Sequence, residues 1–297
     1  MTSKFFSLII LVLLFTSCNN KTTDKGAGPK TEQDSINFKS GYADVNGLKM
    51  YYEIYGEGKP LILIHGGGST IQTSFGRIIP ELSRHRQVIA VELQGHGRTV
   101  DINRPETFPQ DADDVAALLN YLKIDSADFF GFSNGGNTTM QIAIRHPALV
   151  KKIILGSAFY KRDGLYSPFW GSIKQATLKD MPQLLQDEYK KVAPDSNGLI
   201  KMFTKDKNRM VEFSDWKAAD LQSIKAPALI IIGDKDVVRP EHAVEMYRLI
   251  PNCQLAIIPG GHGKYIGEIT TLSSDHGDTG LSTPLIEEFL NEENKAK

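Results

Sequence analysis

The stretch Ala127-Asp128-Phe129-Phe130-Gly131-Phe132-Ser133-Asn134-Gly135 decides how this chain folds, because a buried strand runs into a helix through one serine. Residues 127–132 read as the strand and residues 134–146 as the helix, with Ser133 in the turn between them. So sharp a reversal puts the serine in a strained conformation, and the flanking glycines let neighbouring backbone approach. The hydroxyl then projects clear of the sheet, towards the amides that open the helix. A glycine turn followed by a capping serine gives a similar local pattern, so the pentapeptide is read with its surroundings.

Working outward, the 297 residues are 41% apolar and 23% charged, with a net charge of −1, which is ordinary for a globular chain. No basic stripe, zinc-finger spacing or aromatic RNA-binding signature is present, so nucleic acid is set aside as a partner. At the N-terminus, Met1–Lys4 is a short positive start and residues 5–15 are almost wholly apolar. A helix over that run is about 16 Å long against a hydrocarbon core of about 30 Å, which marks a secretory signal and not a span. Leu14-Phe15-Thr16-Ser17-Cys18 resembles a bacterial lipoprotein signal. The resemblance implies that residues 1–17 are removed, that Cys18 carries the lipid, and that the protein is exported and anchored to a bacterial membrane. Residues 18–40 are polar and aperiodic and read as a flexible tether. Cys253 is then left without a partner, so no disulfide framework is expected, and its apolar surroundings suggest a buried core residue.

From residue 41 to 297 the pattern is one domain of α/β class. An Asn46-Gly47 turn joins two alternating runs, so the domain opens antiparallel. Short apolar runs at 61–65, 87–92, 127–132, 152–155, 228–232 and 254–258 read as strands buried on both faces, as in a parallel sheet covered by helices. Helices are expected over 73–84, 110–123, 134–146, 240–250 and 282–291. The region of about 160–215 breaks the alternation with short helices rich in aromatic residues and methionine, and Ser196 and Ser214 are candidate caps there. An insertion so apolar reads as a helical cap over a site, or else as extra helices packed on the surface.

A serine needs a base, and the base needs a third group to fix its tautomer. Seven histidines are candidates: His65, His85, His96, His146, His242, His262 and His276. His262 is preferred because it directly follows a strand in the glycine-rich loop Gly260-Gly261-His262, and His276 is the runner-up. His146 ends a helix, where it can meet the last carbonyls. Asp234 and Asp236, both leaving a strand end, are candidates for the orienting carboxylate. The glycines of His65-Gly66-Gly67-Gly68 free backbone N–H groups to face the site, so the Gly67 and Asn134 amides are expected to hold an oxyanion. A phosphate cradle is disfavoured, since no Gly-Lys-Ser/Thr ending or Gly-x-Gly-x-x-Gly spacing is present.

In that order the motifs resemble the α/β-hydrolase family over residues 41–292. His65–Gly68 is similar to its oxyanion loop, Gln94-Gly95-His96-Gly97-Arg98-Thr99 to the loop after its fourth strand, and Gly131–Gly135 to its nucleophile elbow. Gly233-Asp234-Lys235-Asp236 resembles the acid loop, and Gly260–His262 the histidine loop. The resemblance implies an eight-stranded, mostly parallel sheet flanked by helices, with the cap inserted after the sixth strand. It also implies Ser133, Asp236 and His262 as the catalytic triad, with no cofactor and no metal. The implied activity is hydrolysis of a carboxylic ester, lactone or related small acyl compound through an acyl-enzyme. Peracid-forming and carbon–carbon-cleaving relatives share these residues. Two other readings stand beside it: a proline-iminopeptidase-like aminopeptidase, gripping the substrate amine through Asp187 or Glu188, and a non-catalytic ligand sensor of the same fold. The segment after His262, residues 263–282, is longer than usual for the family.

Overall fold

The computed structural model describes residues 37–272, 279 and 281–293. The signal segment, Cys18 and His276 lie outside the described residues, as does most of the tether and part of the 263–282 segment.

Eight strands form one sheet: β1 (Phe38–Val45), β2 (Leu48–Tyr55), β3 (Lys59–Ile64), β4 (Arg86–Val91), β5 (Ala127–Phe132), β6 (Val150–Gly156), β7 (Ala228–Lys235) and β8 (Cys253–Gly261). Their order is β1-β2-β4-β3-β5-β6-β7-β8. β1 pairs antiparallel with β2, and β2 with β4, while every other pairing is parallel. The Asn46-Gly47 turn works as expected: both residues have positive φ, and Val45 faces Leu48 in the register. β1 begins at Phe38, ahead of the domain start expected at residue 41, because Phe38 pairs with Tyr55 and packs on its ring at 5.0 Å.

Among the described residues there are ten α-helices: α1 (Ile71–Phe75), α2 (Ile79–Leu82), α3 (Phe108–Tyr121), α4 (Asn134–Arg145), α5 (Ser167–Gln175), α6 (Gln183–Val192), α7 (Gly198–Val211), α8 (Ala218–Gln222), α9 (Pro240–Leu249) and α10 (Ser282–Asn291). Alternate residues of one strand feed opposite layers of core. In β3, Ile62 and Ile64 join the cluster under α3, α4 and α9, whereas Leu61 and Leu63 join the one under α1, α2 and α10. All four are fully buried, which is why the strand reads as an unbroken apolar run. β8 departs from that rule. As the edge strand it is covered on fewer sides, so Ile257 is 40% exposed and Cys253 is only partly buried, not a core residue.

Three further expectations are corrected. The helix expected over 73–84 is split into α1 and α2, because Pro80 supplies no N–H to continue the ladder. Ser196 does not cap α7, which starts after Asn197 without a side-chain cap. Ser214 does not cap α8 either; that helix starts after Lys217, whose N–H donates to Asp220 at 3.0 Å.

Helices α5–α7 lie between β6 and β7, after the sixth strand. Two apolar clusters hold this region, one shared with the core and built on Phe108 of α3, Phe159, Leu165, Met210, Phe213 and Val238, the other on Met181, Tyr189, Leu199 and Met202. Among the described residues, no helix is long and apolar enough to cross a membrane.

Candidate active site

The β5–α4 turn holds Ser133 at φ 54° and ψ −120°, in the left-handed half of conformational space that non-glycine residues avoid. Close packing explains why the flanking residues are glycines. A Cβ on Gly131 would press on the Gly135 carbonyl, and one on Gly135 on the carbonyls of Ile64 and His65. The strain, of order 1–3 kcal/mol, is held by the strand behind it, and Ser133 N–H donates to Gly156 O at 2.7 Å.

Residues 129 and 103 positions away in sequence order complete a line of hydrogen bonds. Ser133 Oγ lies 3.1 Å from His262 Nε2, and His262 Nδ1 lies 2.7 Å from Asp236 Oδ1. β7 and β8 run parallel as neighbours, so their C-terminal ends deliver Asp236 and His262 to the rim where β5 delivers Ser133. Of the two candidate carboxylates, only Asp236 reaches the imidazole. Asp234 points away and accepts the Gly260 N–H at 2.7 Å. Burial alone would raise the Asp236 carboxyl, but His262 and the hydroxyl of Ser157 hold it below the ordinary carboxylate value. Burial would likewise lower His262, yet the Asp236 charge prevails and its value is raised.

The other histidines take different places. His65 ends β3 as the neutral form, with a value pushed down to about 3 by burial and by His96. Its Nδ1–H donates to Gly66 O at 2.7 Å and its Nε2 accepts Leu93 N–H at 3.1 Å, so it braces the glycine loop. His146 meets Asp113 at 2.7 Å instead of the last helix carbonyls. His242 is buried in α9 and stacks on Tyr160, and His85 is exposed. Among the described residues, the Gly67 and Asn134 amides have no hydrogen-bond acceptor, and both residues border the same cavity as Ser133.

That cavity, of about 310 Å³, lies between the sheet edge and helices α5–α7, and its walls are mostly apolar, with Phe159, Phe169, Met202 and Met210 among them. Lys207, Asp180 and Asp206 are the charged cap side chains on it. Asp187 and Glu188 are not: Asp187 accepts from Gln183 at 2.7 Å and Glu188 pairs with Lys191 at 2.5 Å. The expected grip for a substrate amine therefore stands away from the cavity. Among the described residues, no group of three or more His, Cys, Asp or Glu is placed to hold a metal ion.

Sequence reading missed two sets of residues here. One is Ser157 with Tyr265, behind Asp236; the other is a buried charged cluster around Asp206, which connects α7 to the glycine loop. Only His96 of that cluster lay in a motif, and nothing in the spacing pointed to its carboxylate.

Residues 59–205 match the model of the alpha/beta hydrolase fold. The AB hydrolase superfamily protein YisY of Bacillus subtilis is 30% identical over 261 residues, covering 76% of this chain and 93% of that protein. The chain belongs to the α/β-hydrolase family. It is a hydrolase enzyme of that fold, and the eight-stranded sheet is the family's. The 2-hydroxy-6-oxo-2,4-heptadienoate hydrolase of Pseudomonas putida is 28% identical over 71% of this hydrolase and 84% of its own length. Among solved structures, the enol-lactonase of Burkholderia xenovorans LB400 superposes with a TM-score of 0.66 at 23% identity, covering 84% of this chain and 100% of that one.

Proposed function

We propose that the enzyme is a serine hydrolase of uncharged, largely apolar carboxylic esters, lactones or related acyl compounds. One observation carries the reading: the Ser133–His262–Asp236 line stands on the floor of an apolar cavity, beside two unengaged amides. His262 takes the Ser133 proton as the oxygen attacks the acyl carbon, and Asp236 holds the imidazolium that forms. The Gly67 and Asn134 amides receive the oxyanion, a contribution of about 3 kcal/mol for each donor. His262 then gives its proton to the leaving group, and later removes one from the water that releases the acyl-enzyme.

The Pseudomonas putida relative supports a second reading, in which the substrate is an oxo-dienoate such as that protein's name describes. Charge argues against it. A carboxylate entering this cavity meets Asp180, while the lining lysine, Lys207, already donates to Ala176 O at 2.7 Å and Asp206 is itself paired with Arg209 and His96. The amine-gripping and ligand-sensor readings are weaker still, the first because Asp187 and Glu188 lie elsewhere, the second because the triad is assembled.

The test is a panel of chromogenic esters and a fluorophosphonate probe applied to the wild type and to Ser133→Ala. The expected result is turnover and labelling in the wild type only. Equal turnover in the variant points to another nucleophile, and no labelling of the wild type overturns the reading. The lipid anchor is proposed on the sequence alone: radiolabelled fatty acid supplied to expressing cells should enter the wild type and not Cys18→Ser.

A further inference from the structure

Beneath the candidate oxyanion site lies a cluster of buried charges that the proposed chemistry does not use. Asp206 projects from α7 and its two oxygens meet four donors. Oδ2 accepts Gly68 N–H at 2.6 Å and faces His96 Nε2 at 2.9 Å; Oδ1 accepts from Arg209 and, at 3.4 Å, from Asn134 Nδ2. Arg209 continues to Asp111 of α3 at 2.7 Å. Asp206, Arg209, Asp111 and His96 are each no more than 8% exposed.

These partners are not scattered. Gly68 belongs to the glycine loop whose Gly67 amide is one oxyanion donor, and Asn134 supplies the other from its own backbone. A single cap carboxylate therefore touches both limbs of the site. Packing alone is a poor reason for such a cluster: isolated buried ion pairs contribute little net stability, while breaking one is strongly destabilising. The same helix faces the cavity. Met202, Phe203, Lys207 and Met210 of α7 line it together with Asp206, so a substrate that fills the cavity presses on the helix that holds the loop.

We infer that Asp206 is a positioning residue that fixes the glycine loop, so that the oxyanion site is complete only while α7 is seated on the core. This rests on the hydrolase reading given above. Its consequence is that binding of a remote acyl chain is expressed in kcat and not only in KM, because contact with α7 improves the placement of the amides. Displacements of about 1 Å at a reacting centre change rates by roughly 100-fold, so the coupling is measurable.

The experiment compares Asp206→Asn with wild type on the acetate and hexanoate esters of p-nitrophenol, with affinity for an alkyl boronic acid as a mimic of the tetrahedral adduct. Asparagine keeps the shape but offers one acceptor oxygen, and its NH2 group meets two of the old donors. In the wild type, kcat should be roughly tenfold higher for the hexanoate. In Asp206→Asn, kcat should fall roughly 10- to 100-fold, become nearly equal for the two esters, and be matched by an equal loss of boronate affinity, with KM little changed. A variant that keeps the wild-type kcat and boronate affinity, or loses only KM, overturns the inference. So does a wild type whose kcat ignores acyl length. Ser133→Ala, run alongside, separates this from failure of the hydrolase reading, since a wild type that is inactive, or a Ser133→Ala that is active, refutes that reading first.

If Asp206→Asn does not fold, Asp206→Asn with Arg209→Met removes both charges and is read in the same way. Amide hydrogen exchange on the wild type gives an answer that needs no variant. Boronate binding should slow exchange in peptides covering 65–69 and 198–211 together, and slowing confined to one of them overturns the inference.

Discussion

Ser157 Oγ lies 2.6 Å from Asp236 Oδ2, on the oxygen opposite the one that faces His262. The serine is held at φ 51°, in the left-handed region, at the end of β6. Its oxygen also lies 2.8 Å from the hydroxyl of buried Tyr265. Asp236 further receives the N–H groups of Gly233 and Val238, each at 3.3 Å. The carboxylate is thus fixed on both oxygens before His262 is oriented by it.

Ser157→Ala should therefore lower activity chiefly through kcat, although Ser157 also borders the cavity. It removes a hydrogen bond to a charged group, worth about 1.5–3 kcal/mol, from a carboxylate that stays buried. The expected outcome is a fall in kcat of roughly tenfold at nearly constant KM, with a lower melting temperature. Steady-state kinetics and calorimetry on the same preparation check it. Tyr265→Phe, one hydroxyl further back, should show the same signs with a smaller loss.

The pH profile follows from the direction of the His262 shift. In the proposed mechanism His262 must be neutral to accept the Ser133 proton, and Asp236 raises its value above the ordinary 6.5. Hence kcat/KM should fall on the acid side with a midpoint above 6.5. Asp236→Asn removes the charge that causes the rise, so the limb should move to lower pH while kcat drops roughly 10⁴-fold. A limb that stays in place in this variant would show that some other group controls it.

Two glycine substitutions should have opposite signs. Gly135→Ala drives a Cβ into the Ile64 and His65 carbonyls, which belong to the sheet and to the glycine loop and cannot withdraw. Loss of activity together with several kcal/mol of stability is expected. Gly171 lies within α5, and a Cβ there meets nothing within 4 Å. Gly171→Ala should add about 0.8–1.0 kcal/mol by helix propensity alone, raising the melting temperature by about 2–4 °C with activity intact. Thermal melts of both variants decide the point.

Much of this site was legible because its residues sit at strand ends within recognisable turns. The glycines beside Ser133 mark a close backbone approach, and the apolar runs before Asp236 and His262 mark buried parallel strands whose ends share one edge. Choosing Asp236 over Asp234 needed the family resemblance, since both leave the same strand and only the fold shows which one turns to the imidazole. Asp206 was not legible. It lies 138 positions from Gly68, on an amphipathic helix where a carboxylate next to lysines reads as solvated surface. Ser157 carried no signal either, being a lone hydroxyl at a strand end. Cys253 was misjudged because an apolar run does not reveal that its strand lies at the edge of the sheet.

The buried cluster under the glycine loop also predicts how stability varies with pH. Burial would lower His96, but Asp206 outweighs it and raises the value to about 9. A histidine that binds its proton more tightly when folded contributes stability that is complete below the unfolded value near 6.5 and is lost as pH rises through about 9. Glu106 acts in the same direction. Burial and the Asp206 charge raise its carboxyl to about 8, so the folded protein keeps a proton that the unfolded chain releases near 4.5. Stability is drawn down by this group between those two values. The melting temperature should therefore fall from pH 6.5 to pH 9, and His96→Gln should flatten the slope across that window by deleting the His96 contribution. An unchanged slope in the variant would mean that the ion pair with Asp206 does not hold its proton as the geometry requires.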